Sequence, residues 1–354
     1  MEKVTLAVIA EKAGVAKSTV CLALRNDPRV KKPLRLRIRK MAEKLGYQSN
    51  PIVSQLMSEL RKSQTKKYQA TLACIQVSSF HPSLLNLAAK EWTQGFTERA
   101  HSQGYQVDNF WLHETKHSVR QNAEHIYRVM KARNIKGIVF YDIRDNSELV
   151  ECEALWENFP SVVLGPRLRN PALNFVSSNH FEMAREACNS ILEAGYRRIG
   201  IVLDYWVDAI MQHQLTGGYL VHKLRHPEWP SILYLPEEPE KNRIKGKQQF
   251  REWIERDRPD ACLCINQFIL DWIIEMGLDV PAKMGVAFVD LNEETRKIAA
   301  GMNQQRKEVG INAADILIGK VNRRESGIPA YQSGTSVMAY WVPGPSIRSK
   351  LTAS

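Results

Sequence analysis

The chain has 354 residues, 44% of them hydrophobic, and a formal net charge of +11. That length is too great for one ordinary domain, so two or three are expected, each with apolar residues enough for a core. No apolar run approaches the roughly 18 residues of a membrane span, and no charged-then-apolar leader opens the chain, so the expectation is a cytoplasmic protein with no membrane partner.

The charge is unevenly placed. Residues 1–67 hold 16 Lys and Arg against 5 Asp and Glu, whereas the remainder holds 33 of each. A basic head on an electrically balanced body points to a polyanion partner for the head alone. The six cysteines (Cys21, Cys74, Cys152, Cys188, Cys262 and Cys264) are scattered and read as reduced thiols, with no metal expected.

In the head, Leu6, Ile9, Ala10 and Ala13 recur at the spacing of one buried helical face, and Thr5 stands where a hydroxyl caps the helix. Gly14 breaks that helix where a left-handed residue is cheap. In the next helical pattern Val15, Val20, Ala23 and Leu24 turn inward, while Lys17, Ser18, Cys21 and Leu22 turn outward. Two short helices around a glycine turn, the small Ala10 allowing a close crossing, read as a helix-turn-helix. Asn26-Asp27-Pro28 is a loop. A third helix opens at Lys31-Lys32-Pro33 and ends at Gly46. It buries Leu34, Ile38, Met41, Ala42 and Leu45 and turns out Arg35, Arg37, Arg39, Lys40 and Lys44, a one-sign run that favours phosphate contacts. Ile52 to Leu60 has helical spacing but is too short to stand alone in water, so it needs a second copy or DNA as partner. Arg61 to Lys67 reads as a linker.

Residues 4–60 resemble the headpiece of the LacI/GalR family of bacterial regulators. The resemblance is carried by Thr5-Leu6, Ile9-Ala10, Ala13-Gly14-Val15, Thr19-Val20, Asn26, Arg35, Ala42, Leu45-Gly46-Tyr47 and Asn50-Pro51, with Leu56 after them. It implies that the second helix enters the major groove. It also implies that the helix after Asn50 forms only on operator, pairs with its twin and pushes Leu56 into the minor groove, an apolar wedge that unstacks a base step. Ala16, Leu22, Lys32 and Val53 depart from common family residues, so no relative's operator preference transfers. Lys17 and Ser18 are assigned as base readers, with Leu22 against a thymine methyl. Thr5, Thr19, Asn26 and Tyr47 are assigned to phosphates, which position without specifying, and Leu6 and Asn50 complete the DNA-contacting set.

From Thr71 onward strands alternate with helices, which implies parallel sheets. Strands are expected at 71–77, 105–112, 135–141, 161–164, 175–177, 198–203, 231–235, 261–265 and 284–289. Helices are expected at 84–103, 119–134, 149–159, 181–194, 217–224, 246–256 and 269–276. In two parallel-sheet lobes, small ligands bind at the carboxyl ends of the strands. The resemblance continues through Asn179-His180-Phe181, Leu192 to Gly200, Pro259-Asp260-Ala261, Gly277 to Pro281 and Met302-Asn303-Gln304 with Gly310. It implies an α/β fold, an all-α helix-turn-helix headpiece followed by a two-lobed, periplasmic-binding-protein-like effector core. The expected parts are the headpiece at 1–46, hinge and linker at 47–67, core at 68–345 and tail at 346–354. Crossings near Gly165, Leu291 and Ile328 divide the core into 68–165 with 292–327 and 166–291 with 328–345.

Asn266 and Asp290 follow strands, and Gln304 lies in the Asn-Gln motif. Such groups suit a hydroxyl-rich ligand, whose donors and acceptors need partners. Gln214 stands in the region where the family often has an arginine clamp, which disfavours an anionic effector. Phe80 and Tyr141, with Trp92 and Trp206, are stacking candidates. His113-Glu114-Thr115-Lys116-His117 spells a zinc-protease motif, but it follows a strand and is expected to be loop. Asp142, Asp145, Asp204 and Asp208 are expected to be solvated loop acids.

The expected function is a repressor-type regulator, not an enzyme, without cofactor. It is a nucleoid-associated homodimer on a palindromic double-stranded DNA operator, modulated by a small sugar-like effector between the lobes. The alternative is a sugar-binding module without gene control. The tail lacks a leucine heptad, so a dimer is expected and not a tetramer.

Overall fold

The computed structural model describes residues 6–24, 29–45, 70–84, 87–237 and 239–349. The head consists of helices α1 (Leu6–Ala13), α2 (Lys17–Leu24) and α3 (Lys32–Lys44). Gly14 joins α1 to α2 with a φ of 66°, a backbone state that costs a residue without Cβ little. Its N–H returns to the Glu11 carbonyl at 3.2 Å, and that of Val15 to Ala10 at 3.1 Å. The turn therefore satisfies carbonyls that the end of α1 would leave bare. Pro33 sits in the first turn of α3, where its missing N–H costs nothing. Ile9, Ala13, Val20, Ala23, Ile38 and Ala42 are buried together, with Leu34, Met41 and Leu45 packed at the edge.

The body holds two six-stranded sheets. The first contains β1 (Ala70–Gln76), β2 (Tyr105–Trp111), β3 (Ile135–Tyr141), β4 (Ser161–Leu164), β5 (Asn174–Ser178) and β11 (Gly334–Val337), in the order β11-β5-β4-β3-β1-β2. The second contains β6 (Ile199–Asp204), β7 (Leu233–Leu235), β8 (Ala261–Cys264), β9 (Gly285–Phe288), β10 (Ala300–Asn303) and β12 (Tyr340–Val342), in the order β12-β10-β9-β8-β6-β7. Among the described pairings only β10 with β12 is antiparallel. By compactness the chain divides into two units. One comprises the described residues up to Leu164 with Leu168–Asn174 and Gly310–Ser333, the other Gly165–Arg167, Phe175–Val309 and the described residues from Gly334.

The central strands β8 and β9 of the second sheet have no polar side chain because both faces are covered. Ile199, Ile201, Leu263 and Ala287 join a core on one face with helices α8 (His180–Glu193) and α10 (Gln214–Lys223). Val202, Cys262, Cys264 and Phe288 join a core on the other face with α11 (Arg243–Asp257) and α12 (Phe268–Glu275). The period-2 alternation sends successive apolar residues to opposite cores. Helix α8 crosses α10 closely at Gly218, where an added Cβ would lie 2.4 Å from the Phe181 carbonyl oxygen. In the other unit α4 (Leu87–Ser102) meets α13 (Arg306–Arg323) at Gly310, where a Cβ would lie 2.0 Å from the Trp92 carbonyl oxygen.

Several expected elements differ. The helix expected at 149–159 is two short ones, α6 (Asn146–Val150) and α7 (Glu153–Trp156), because Asp145 caps an earlier start by accepting the Ser147 N–H at 2.8 Å. Strands β10, β11 and β12 and helices α9 (Tyr205–Ile210) and α13 lie where no element was expected. Since β10 extends the second sheet, the chain passes into the other unit at Gly310 and out again after Ser333, later than the crossings expected near Leu291 and Ile328. The hinge at 47–67 lies outside the described residues. Among the described residues no helix is long and apolar enough to cross a membrane.

Candidate functional site

The head presents the first candidate. Helix α2 starts after Ala16, whose carbonyl accepts from Thr19 at 2.9 Å and Val20 at 3.2 Å. Lys17 is exposed at its first turn and Thr19 is half-buried. Leu22, expected to point outward, is half-buried against the head core. On an eight-residue helix the apolar stripe widens to take it in. Arg37, also expected outward for phosphate, donates to the Ala13 carbonyl at 2.7 Å and so caps the end of α1. The backbones of Leu6 and Ser18 lie in α1 and α2. Thr5, Asn26, Tyr47, Asn50 and Leu56 lie outside the described residues.

The second candidate is the carboxyl end of the second sheet. Cys264 pairs with Phe288, and Phe288 with Gly301, so register places Asn266 and Asp290, beyond their strands, beside Asn303 at the end of β10. Asn266 Nδ2 and Asp290 Oδ1 are buried without a partner among the described residues. Asp290 Oδ2 pairs with the buried Arg306 guanidinium. Gln304 is buried, its Nε2 donating to the Val289 carbonyl at 3.3 Å and its own carbonyl accepting from Ser178 Oγ at 3.2 Å. A buried donor and a buried acceptor left open on adjacent strands are a cost unless something pairs with them. Gln214 opens α10 directly after Gln212 and His213, both left-handed.

Behind Gln214 lies a cluster that the sequence did not announce. Asp208 is fully buried, not solvated. Its carboxylate accepts from Thr216 Oγ1 at 2.7 Å, Tyr234 OH at 3.0 Å and the Thr216 N–H at 3.4 Å, with His213 Nδ1 at 3.0 Å. Tyr205 stands edge-on to Tyr234, ring centroids 5.4 Å apart. His180 is buried beside this carboxylate, and burial pushes its imidazole down to about 4 against the pull of Asp208. These six residues come from α8, α9, the turn before α10, α10 itself and β7, so no single stretch of sequence displays them.

The first sheet carries a parallel arrangement. Asp142, expected to be solvated, is buried, accepting from Ser78 Oγ with Arg144 Nε at 3.3 Å. Arg144 in turn lies over the Phe80 ring, 4.4 Å from its centre. Phe80 is about half exposed, and Tyr141 is buried, its hydroxyl's ionisation pushed up by burial. Asp204, like Asp145, is a helix cap, accepting from the Trp206 N–H at 2.9 Å. His113 and His117 lie in the loop after β2. His113 pairs with Glu148 at 3.0 Å, and the His117 carbonyl accepts from Asn122 at 3.3 Å. Among the described residues no three His, Cys, Asp or Glu side chains cluster as metal ligands.

Residues 5–50 match the model for bacterial regulatory proteins of the lacI family. The match to that family covers the head. It is 22% identical to the HTH-type transcriptional regulator MalR of Streptococcus pneumoniae over 214 residues, which span 60% of this chain and 61% of MalR. To the HTH-type transcriptional repressor PurR of Actinobacillus pleuropneumoniae it is 21% identical over 330 residues, 90% of this chain and 91% of PurR. Its fold resembles that of the lac repressor dimer bound to operator and the anti-inducer ONPF, with a TM-score of 0.61, 18% identity, and coverage of 98% of this chain and 100% of that one. Asp142, Asp208 and His180 are the residues that sequence reasoning missed. For Asp142 a short polar side chain just after an apolar strand was the available signal, but it does not distinguish a buried acid from a solvated one.

Proposed function

We propose that this chain is a homodimeric repressor that binds a palindromic double-stranded DNA operator and responds to a small, neutral, hydroxyl-rich effector. The observation that carries the reading is the head: two short helices locked at Gly14, with Lys17 exposed on the second. In this geometry the second helix enters the major groove and Lys17 and Ser18 meet base edges, while Thr19 and the residues flanking the helices meet phosphates. Leu56 is the wedge that kinks the central step. Two heads on one dimer imply half-sites about one helical turn apart. Action on the chromosome places the protein in the cytoplasm.

The open groups of Asn266 and Asp290, with Gln304 beside them and Gln214 in the same unit, support a hydroxyl-rich ligand. Ligand binding there shifts the DNA-binding equilibrium by the 1–3 kcal/mol typical of such coupling. Selection from a random duplex library tests the reading: recovery of a discrete palindrome supports it, and recovery of no preferred sequence overturns it. Leu56→Ala is expected to weaken operator binding far more than binding to random duplex; equal losses would remove the wedge. A sugar at about 100 times its dissociation constant is expected to add about 2.7 kcal/mol of stability, lost in Asn266→Ala.

A further inference from the structure

The head's charge is not on the helices that read DNA. Helices α1 and α2 carry Lys12 and Lys17 against Glu11. Residues 29–45 carry Arg29, Lys31, Lys32, Arg35, Arg37, Arg39, Lys40 and Lys44 against Glu43 alone. Helix α3 meets α1 and α2 through buried Ile38 and Ala42, which fixes its opposite side away from both. That side is exposed and holds Lys32, Leu36, Arg39, Lys40 and Lys44, with Glu43 among them. Leu36 is 52% exposed in the midst of these cations. Among the described residues Arg39, Lys40 and Lys44 make no ion pair. Single-sign repulsion on one short helix is an unfavourable arrangement that a bound polyanion relieves.

We infer that the far side of α3 is a second DNA-binding face, which grips the phosphate backbone of another duplex segment while α2 occupies its groove. The inference rests on the DNA-binding reading of the head and goes beyond it. Cations facing away from α1 and α2 cannot reach the duplex that α2 enters unless that duplex bends back. The contact carries no sequence information, because it is made to phosphates. Its affinity falls steeply with salt, by a slope of about 0.9 for each phosphate contacted. It gives each protomer a means to hold a neighbouring segment before or during operator capture.

The test counts duplexes per protomer in the full chain. Random-sequence duplexes of about one helical turn, about 10 bp, are too short to serve both faces of a head. Sedimentation at low salt is expected to show two such duplexes per protomer for the native chain and one for the triple variant Arg39→Gln/Lys40→Gln/Lys44→Gln. All three substituted side chains are exposed, so the variant keeps its core, which circular dichroism verifies. The variant's salt slope for random duplex is expected to drop by about 2 to 3, whereas Lys17→Gln lowers it by about 1. One duplex per protomer in the native chain, or two in the triple variant, overturns the second face and leaves the reading of α2 standing. No duplex bound by the native chain at any salt overturns both.

Discussion

Asp142 directly follows β3 and Asp208 lies in α9, four residues beyond the end of β6; both acids are buried, yet they are satisfied in different ways. Asp142 has one hydroxyl, from Ser78, and a half-buried guanidinium, Arg144, able to follow it or turn to water. Asp208 has two hydroxyls, a backbone N–H and an imidazole, drawn from a helix, the turn before it and a strand, with a neutral His180 at its back. A charge neutralised by one neighbour is a local matter. A charge satisfied by groups from three elements fixes those elements relative to one another, here the left-handed turn at Gln212–His213 and the start of α10 that presents Gln214. A buried acid can thus be a fastening for the site without touching what binds there.

The largest test of that contrast is Asp208→Ala. Thr216 and Tyr234 keep the 2.7 Å hydrogen bond between their hydroxyls, but removing the carboxylate leaves one hydroxyl proton of that pair and a backbone N–H unmatched, and a loss of about 3 kcal/mol is expected in urea denaturation. A loss under about 1 kcal/mol would show that the cluster fastens nothing.

Acidification is the next. His180 is held neutral in the fold, its imidazole near 4, whereas the unfolded chain takes a proton near 6.5. A depressed histidine means that the unfolded state binds more protons between those values, so stability falls as pH drops below 6.5 and levels off below about 4. A loss of about 2 kcal/mol is expected between pH 7 and pH 5. His180→Phe should flatten that slope, and an unchanged slope would assign it to other groups.

Asp142→Ala is expected to cost about 1 kcal/mol, because Ser78 keeps the Gln76 amide at 3.2 Å and Arg144 is freed toward solvent. A cost equal to that of Asp208→Ala would erase the difference between the two sites. Smallest is Thr216→Val, which removes one of four partners of Asp208 and is expected to cost slightly under 1 kcal/mol. Thermal denaturation against the native chain measures it.

Much of this molecule is written locally. The head is legible because its signals are short-range: apolar spacing at Leu6, Ile9, Ala10 and Ala13, a glycine at the one left-handed position, and a proline in the first turn of α3. The body's buried strands are legible because residues 138–141 and Ala261–Cys264 are unbroken apolar runs, as a strand covered on both faces requires. Asn266 and Asp290 are candidates because each follows such a run, at a strand's carboxyl end, whereas Gln304 is a candidate through the Asn-Gln motif of the resemblance.

Tertiary structure decided the rest. Ala300-Gly301-Met302-Asn303 has no β-branched residue, and it is a strand because β9 and β12 offer their edges to it. Tyr205–Ile210 starts as a helix on the capping carboxylate of Asp204. Asp208 reads as a solvated acid until Thr216 and Tyr234, 8 and 26 residues away, close over it. Helical and strand periodicity are properties of neighbours in sequence, so the chain alone determines them. Whether a charge is buried depends on residues that only the fold brings within hydrogen-bonding distance.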